Sequence, residues 1–274
     1  MKIWLDGGLA DADGARITVF DHGLTVGDGV FETIKADRGR AFALTRHLER
    51  LATSARGLGL PEPDLDEVRR GCLAVLEANP MALGRLRITY TGGPSPLGSD
   101  RGDSGTTLVI AASEATRRPD TTAAVTVPWT RNERGALAGL KSTSYGENVI
   151  ALARARERGA SEALFANTVG ALCEGTGSNV FVVLDGELHT PPLHSGCLAG
   201  ITRALTATWA GAKETDLPLD VLERAEEIFL TSTLRDVQAV TRVDGRQLAD
   251  EPGPVTAAAM RIFDEHAAAD FDPR

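Results

Sequence analysis

Three cysteines, Cys72, Cys173 and Cys197, are all that the 274 residues hold, and no two form a CxxC pair. Neither a disulfide framework nor a cysteine zinc site is indicated, and a reducing compartment fits. No uninterrupted apolar run reaches membrane-spanning length, and the amino terminus MKIWLDGGLADADG meets Asp and Gly within six residues. A signal peptide and a membrane anchor are therefore not expected, and the reading is a soluble cytoplasmic protein. A basic tract is also missing, and the formal net charge is −9. Affinity for a phosphate backbone comes mostly from clustered Lys and Arg, so a general nucleic-acid binder is excluded. The five histidines are scattered without HxH or HxxxH spacing and lend no support to a metal site. No GxSxG elbow, GxxxxGK[ST] loop or helix-opening GxGxxG is present. Lysine is scarce: of 29 basic residues only Lys2, Lys35, Lys141 and Lys213 are lysine, so any lysine chemistry has few candidates.

What is there is an ordinary globular composition, 42% hydrophobic and 24% charged. KIWLDGGLA and ARITVF alternate at the strand period, and VFETIKADRGRAFAL reads as a hairpin turning at Asp37-Arg38-Gly39. TRHLERLATSARGLGL puts Leu48, Leu51 and Ala55 on one helical face and stops at Gly57 or Gly59. A second helix is expected over Leu65–Ala78, then strands in GRLRITYTGG and TTLVIAAS. The stretch SEATRRPDTT is polar and aperiodic and reads as a linker. The expected division is residues 1–115 as a small α+β domain, 116–122 as linker, and 123–274 as a larger domain. The latter holds strands AAVTVPW, EALFAN, ALCEG, NVFVVLDG, ELHTP and EEIFLTST. Its helices are ENVIALARARERG, GITRALTATWAG and a last one near Val255–Ala268.

Several segments can carry chemistry, each with a plainer alternative. Lys141, in LAGLKSTSYGENV, follows a Gly-containing turn and precedes a helix. A neutral lysine amine attacks an aldehyde, whereas most lysines are solvated. In LCEGTGSNVF, Glu174 precedes a Gly-rich stretch with Ser178 and Asn179. Such a loop offers N–H groups and hydroxyls to an anion, and the carboxylate can hold a ring nitrogen protonated; it is also good hairpin-turn chemistry. GITRAL places Ile201 and Thr202 at a helix start, a phosphate site or a simple cap. EEIFLTSTLRD ends a buried strand in hydroxyls, with Thr233 and Leu234 at its tip. Arg46 and Arg50 share a helical face, suited to a phosphate or to local ion pairs.

In this order, DHGLTVGDGVFET, RHLERL, KSTSYGENVIALARARERGASEALF, CEGTGSNVF, TPPLHSGCLAGITR and EEIFLTST resemble the class IV, fold-type IV, pyridoxal-5′-phosphate (PLP) enzymes. These are the branched-chain and D-amino-acid aminotransferases, (R)-amine transaminases and 4-amino-4-deoxychorismate lyases. The resemblance covers nearly the whole chain. It implies an α/β (α+β) two-domain fold with PLP in the interdomain cleft, and a homodimer. It makes Lys141 the lysine that joins the cofactor and Glu174 the partner of the pyridine nitrogen, with Arg50, Ile201, Thr202 and Thr233 on the phosphate. It implies a transaminase moving an amino group, by ping-pong half-reactions, between a small-molecule amino donor, an amino acid or (R)-primary amine, and an α-keto-acid acceptor, with aminodeoxychorismate cleavage as the alternative. The substrate side departs from the family pattern. Phe31 stands where a tyrosine is often found before the glutamate, and Tyr145 lies four residues after the lysine rather than five. GGPSPLGSDRG has Arg101 alone in place of an Arg-x-His clamp. Arg101 is either a displaced carboxylate-binding arginine or a solvated loop residue, and Leu234 offers a backbone N–H as the substitute.

Overall fold

The computed structural model describes residues 1–274, which fall into two compact units. The first comprises Met1–Arg117, Leu140–Ser144 and Asp270–Arg274; the second comprises Arg118–Gly139 and Tyr145–Ala269. No local pattern announces that the five residues around Lys141, or the last five of the chain, pack with the first unit.

The first unit is a six-stranded antiparallel sheet in the order β2-β1-β6-β5-β3-β4. Its strands are β1 (Lys2–Leu5), β2 (Gly8–Asp11), β3 (Gly29–Asp37), β4 (Arg40–Ala41), β5 (Leu83–Thr91) and β6 (Thr107–Glu114). Besides the single turn α1 (His22–Thr25), two helices pack on the sheet, α2 (Leu44–Leu58) and α3 (Leu65–Ala78). Alternate residues of each strand point one way. Val30, Ile34 and Ala36 of β3, Leu86, Ile88 and Tyr90 of β5, and Leu108, Ile110 and Ala112 of β6 meet Leu48, Leu51 and Ala55 of α2 and Val68, Cys72 and Val75 of α3. The opposite face carries Phe31, Thr33 and Lys35, in register with Thr89, Arg87 and Arg85. Asp64 caps α3 by accepting from the N–H groups of Asp66 and Glu67. α2 stops at Gly59, whose φ of 73° suits the left-handed end of a helix. Gly57 lies inside α2 instead, where a side chain would collide with Leu140.

ARITVF forms no strand. Its alternation is real, but Ile17, Val19 and Phe20 stay half or more exposed and no strand lies beside them.

The second unit is a nine-stranded mixed sheet in the order β12-β11-β10-β13-β14-β7-β8-β9, with β15 on β14. The strands are β7 (Thr121–Arg131), β8 (Glu162–Asn167), β9 (Leu172–Gly175), β10 (Asn179–Leu184), β11 (Glu187–Thr190), β12 (Lys213–Glu214), β13 (Glu227–Ser232), β14 (Asp236–Val243) and β15 (Arg246–Gln247). The helices are α4 (Gly146–Glu157), α5 (Ile201–Ala210), α6 (Val221–Arg224) and α7 (Pro254–Ala269). β7 and β8 are parallel, and α4 lies between them in sequence as a βαβ crossover. Every residue of β8 is buried, which explains its unbroken apolar reading. α4 covers Val125, Val127, Ala163 and Phe165, while Leu164, Val180, Val182, Leu230 and Val240 form a separate core.

Candidate active site

In the first unit the strand period of β3 puts Glu32 on the helix-covered face, fully buried. A carboxylate there needs partners, and α2 supplies two, one turn apart. Arg50 donates through Nε and Nη2 to Oε1 and Oε2, at 2.8 and 2.7 Å, and Glu32 Oε2 lies 2.6 Å from His47 Nδ1. Burial alone would raise the Glu32 carboxyl, but Arg50 foremost and then His47 overcome it and hold it at about 2. Burial pushes His47 below its ordinary range, and the charges of Arg50 and Lys141 push the same way against the pull of Glu32. The consistent state is an ionised Glu32, a charged Arg50 and a neutral His47 donating from Nδ1. Arg50, expected on a phosphate, is thus first of all the counter-ion of a core carboxylate.

Lys141 sits on a short segment that extends the edge of β3. Its carbonyl accepts from Phe31 N at 2.9 Å, its own N–H donates to Ser54 Oγ at 3.2 Å, and Thr143 N donates to Gly29 O at 2.8 Å. These bonds place the side chain on the sheet face opposite the helices, where Nζ stands 4.4 Å from the centre of the Phe31 ring. Arg87 Cζ lies 3.5 Å from the centre of the same ring. Cations favour aromatic faces, and the two gather at one phenyl group. Arg87 was not singled out from the sequence; the signal was its alternation with Arg85 in GRLRITYT, which needed the register that sets Arg87 opposite Thr33, two residues from Phe31, to become meaningful.

Arg101 has another occupation. Nε and Nη2 donate to the two oxygens of Asp28 at 2.7 and 2.6 Å, while Nη1 and Nη2 donate to the carbonyls of Gly59 and Leu58 at 2.6 and 2.8 Å. Four of its five guanidinium N–H groups tie the loop to Asp28 and to the end of α2, although the side chain stays partly exposed. Asp28 also receives His22 Nδ1 at 3.0 Å, and Arg101 is the chief reason its carboxyl is held below the usual range.

In the second unit Glu174, on β9, is mostly buried. Its Oε2 accepts from Leu198 N at 2.9 Å, and Oε1 forms an ion pair with Arg131 Nε at 3.2 Å. Arg131 is in turn fixed by Asn148 Oδ1 at 3.1 Å and lies 4.0 Å above the Phe165 ring. Nothing in PWTRNERG marks this arginine; only the adjacency of β7, β8 and β9 does. Ser178 and Asn179 are also engaged inward. Ser178 Oγ donates to Glu162 at 2.8 Å, and Asn179 Nδ2 donates to Leu198 O at 2.9 Å. Their side chains shape the loops rather than present donors outward. Gly200 precedes α5 without a side-chain cap, and a Cβ there would run into Asn179 Oδ1. The first-turn N–H groups of Ile201 and Thr202 therefore have no carbonyl one turn behind them and no side-chain cap. Thr231, near the end of β13, has a fully buried hydroxyl with no partner. Beyond it Thr233 and Leu234 form the half-buried turn to β14.

Residues 29–243 match the family model for amino-transferase class IV. A Methanocaldococcus jannaschii protein provisionally named a branched-chain-amino-acid aminotransferase is 35% identical, covering 96% of this chain and 95% of its own. The D-alanine aminotransferase of Staphylococcus haemolyticus is 29% identical over 97% of both chains. Among solved structures, a hypothetical aminotransferase from Mycobacterium tuberculosis in its PLP-bound form superposes with a TM-score of 0.89 at 28% identity, covering 98% of this chain and 100% of that one. A family model that spans most of the chain settles the matter: it belongs to the class IV aminotransferases, fold-type IV transaminases that depend on PLP.

Proposed function

We propose that the chain transfers amino groups between α-amino acids and α-keto acids, with Lys141 as the catalytic amine and Arg87 as the carboxylate-binding cation. The observation that carries this reading is the single Phe31 ring that holds both Lys141 Nζ and the Arg87 guanidinium. An α-amino acid carries its amine and its carboxylate on the same carbon, so its two ends call for partners that lie close together, as two basic side chains at one ring do. PLP, when bound, supplies an aldehyde for the substrate amine and a ring that withdraws electrons from Cα. Lys141 would carry the cofactor between turnovers and then move the proton at Cα. The cysteines are no rivals as nucleophiles, since burial pushes Cys72 up to about 12 and raises Cys173 and Cys197 as well.

The residues of the second unit fit the cofactor's other ends. The uncapped start of α5 has the donors a phosphate needs, Gly200 lets Asn179 pack against that start, and the partnerless Thr231 hydroxyl lies next to the Ser232–Thr233 turn. Ile201, Thr202 and Thr233 are assigned to the phosphate. Arg50, whose Nε and Nη2 hold Glu32, is assigned to the phosphate with them. Glu174, held by Arg131 and Leu198 N, is assigned to the pyridine nitrogen, which a fixed carboxylate keeps protonated. Leu234 N–H is a second candidate for the substrate carboxylate.

The reading includes a cytoplasmic homodimer. All three cysteines are unpaired and buried, as suits a reducing compartment. Ile17, Val19, Phe20, Leu24 and Val26 are exposed within ten residues of chain, an apolar stretch that a second copy would cover. No helix is long and apolar enough to cross a membrane.

The test has two parts. Borohydride reduction followed by peptide mapping should place the pyridoxyl group on Lys141; finding it on Lys35 or Lys213 overturns the assignment. Half-reactions with L-leucine, D-alanine and (R)-phenylethylamine, followed through the visible cofactor band, should convert it with at least one amino acid. Conversion by none of them, with pyruvate released from aminodeoxychorismate, would make the lyase the correct reading.

A further inference from the structure

Glu162 opens β8 and is 2% exposed, so it meets no substrate. Its carboxylate is nonetheless crowded with donors. Oε1 accepts from Thr176 N at 2.9 Å, from the Thr176 hydroxyl, and from Ala163 N at 3.1 Å. Oε2 accepts from Ser178 Oγ at 2.8 Å and faces Arg235 Nη2 at 3.4 Å. Gly175 N donates to Ser178 O at 2.7 Å, closing the turn, and any Cβ at Gly175 would strike Ser178 Oγ and come within 2.9 Å of Glu162 Cδ. The turn that follows Glu174 is therefore moulded on this one carboxylate.

Arg235 is the other half of the device. Its guanidinium is as buried as its partner, donating to Ser161 O at 3.0 Å, to Ser161 Oγ at 3.2 Å and to Gln238 Oε1. Its backbone N–H donates to Ser232 O at 3.1 Å, closing the turn that contains Thr233 and Leu234. Two turns far apart in sequence thus hang from one buried ion pair at the head of β8. Apolar side chains of similar volume often stabilise such a site as well as a buried pair does. What they lack is direction: a carboxylate with five donors admits one arrangement of the turns around it.

We propose that Glu162 and Arg235 are positioning residues for the cofactor, holding the Gly175–Ser178 turn beside Glu174 and the Ser232–Arg235 turn around Thr233 in one fixed arrangement. The proposal rests on the assignment of Thr233 to the cofactor phosphate. Its signature is selective. Loss of the brace on the Thr233 side weakens recognition of the phosphate more than recognition of the ring.

The experiment titrates the full-length apo-protein with PLP and with pyridoxal, which lacks the phosphate, and records a thermal melt of each variant. Arg235→Met removes the brace, Arg235→Lys keeps the charge opposite Glu162 without the two-armed reach to Ser161 and Gln238, and Glu162→Gln/Arg235→Met removes both charges. Arg235→Lys and Arg235→Met should lose about tenfold or more in PLP affinity, the scale of one charge-assisted contact, with pyridoxal changed by less than about threefold. The double variant should recover melting temperature without recovering PLP affinity. Equal losses for both ligands, or a lower melting temperature with both affinities intact, would show a purely structural pair and overturn the proposal. A wild-type chain that prefers PLP no more than pyridoxal would instead overturn the phosphate assignment, and the proposal with it.

Discussion

Replacing Glu32 by Gln tests whether the core of the first unit is built around a charge. A carboxyl moved from its ordinary 4.5 to about 2 contributes roughly 3 kcal/mol of stability. Because the folded value is the lower one, that contribution is complete above pH 4.5 and is lost as pH falls toward 2. His47 adds a second loss of the same sign. It is held neutral in the fold while the unfolded chain takes up a proton below about 6.5. Removing one partner of a buried pair costs about 3–5 kcal/mol. Gln keeps an acceptor and the Arg50 side chain retains 12% exposure, so the lower end, about 3 kcal/mol, applies. For a unit of this size that corresponds to a fall in melting temperature of roughly 10 °C at neutral pH. Trp4 packs against the first unit's core and reports on it once Trp129 and Trp209 of the second unit are replaced by Phe. Thermal melts followed by its fluorescence from pH 7 to pH 3 should show the wild type losing its advantage over Glu32→Gln below pH 4.5. The slope due to His47, which begins as pH falls below about 6.5, should survive in both proteins. Superimposable profiles, or an unchanged melting temperature at pH 7, would refute the account of a charged core triad.

Arg87→Ala should raise KM for amino and keto acids by one to two decades while sparing (R)-phenylethylamine, which has no carboxylate; parallel loss on both donors would remove Arg87 from the substrate site. Arg101→Ala should depress all donors alike and cost about 1 kcal/mol, since its partly exposed pair with Asp28 is screened. A donor-selective effect there would restore Arg101 as a carboxylate binder. Gly200→Ala drives a methyl group into Asn179 at the start of α5 and should weaken PLP binding at least tenfold, measured by titration of the apo-protein; unchanged affinity would move the phosphate elsewhere.

Much of the scaffold was legible locally. The α3 span Leu65–Ala78 with its Asp64 cap, the hairpin of β3 and β4, the buried run of β8 and the Gly200-Ile201-Thr202 start of α5 all follow from periodicity and turn chemistry over a dozen residues or fewer. The scarcity of lysine narrowed any lysine chemistry to four candidates, and it was the family resemblance that pointed to Lys141 among them. ARITVF shows the limit of the same reasoning, because alternation describes a strand only where a neighbouring strand accepts its hydrogen bonds. What tertiary structure alone decided is which charges meet. Arg50 reaches Glu32 across 18 residues, while Arg101 reaches Asp28 and Arg235 reaches Glu162 each across 73. A guanidinium in the sequence is equally suited to a phosphate, a substrate carboxylate or a core glutamate. Its choice depends on strand register and on which face of a sheet a helix covers. Those are long-range properties, so Arg101 was legible only as a cation, and Arg87, Arg131, Glu162 and Arg235 became parts of a site only when β3 met β5, β7 met β8 and β9, and the turn after β13 folded back on β8.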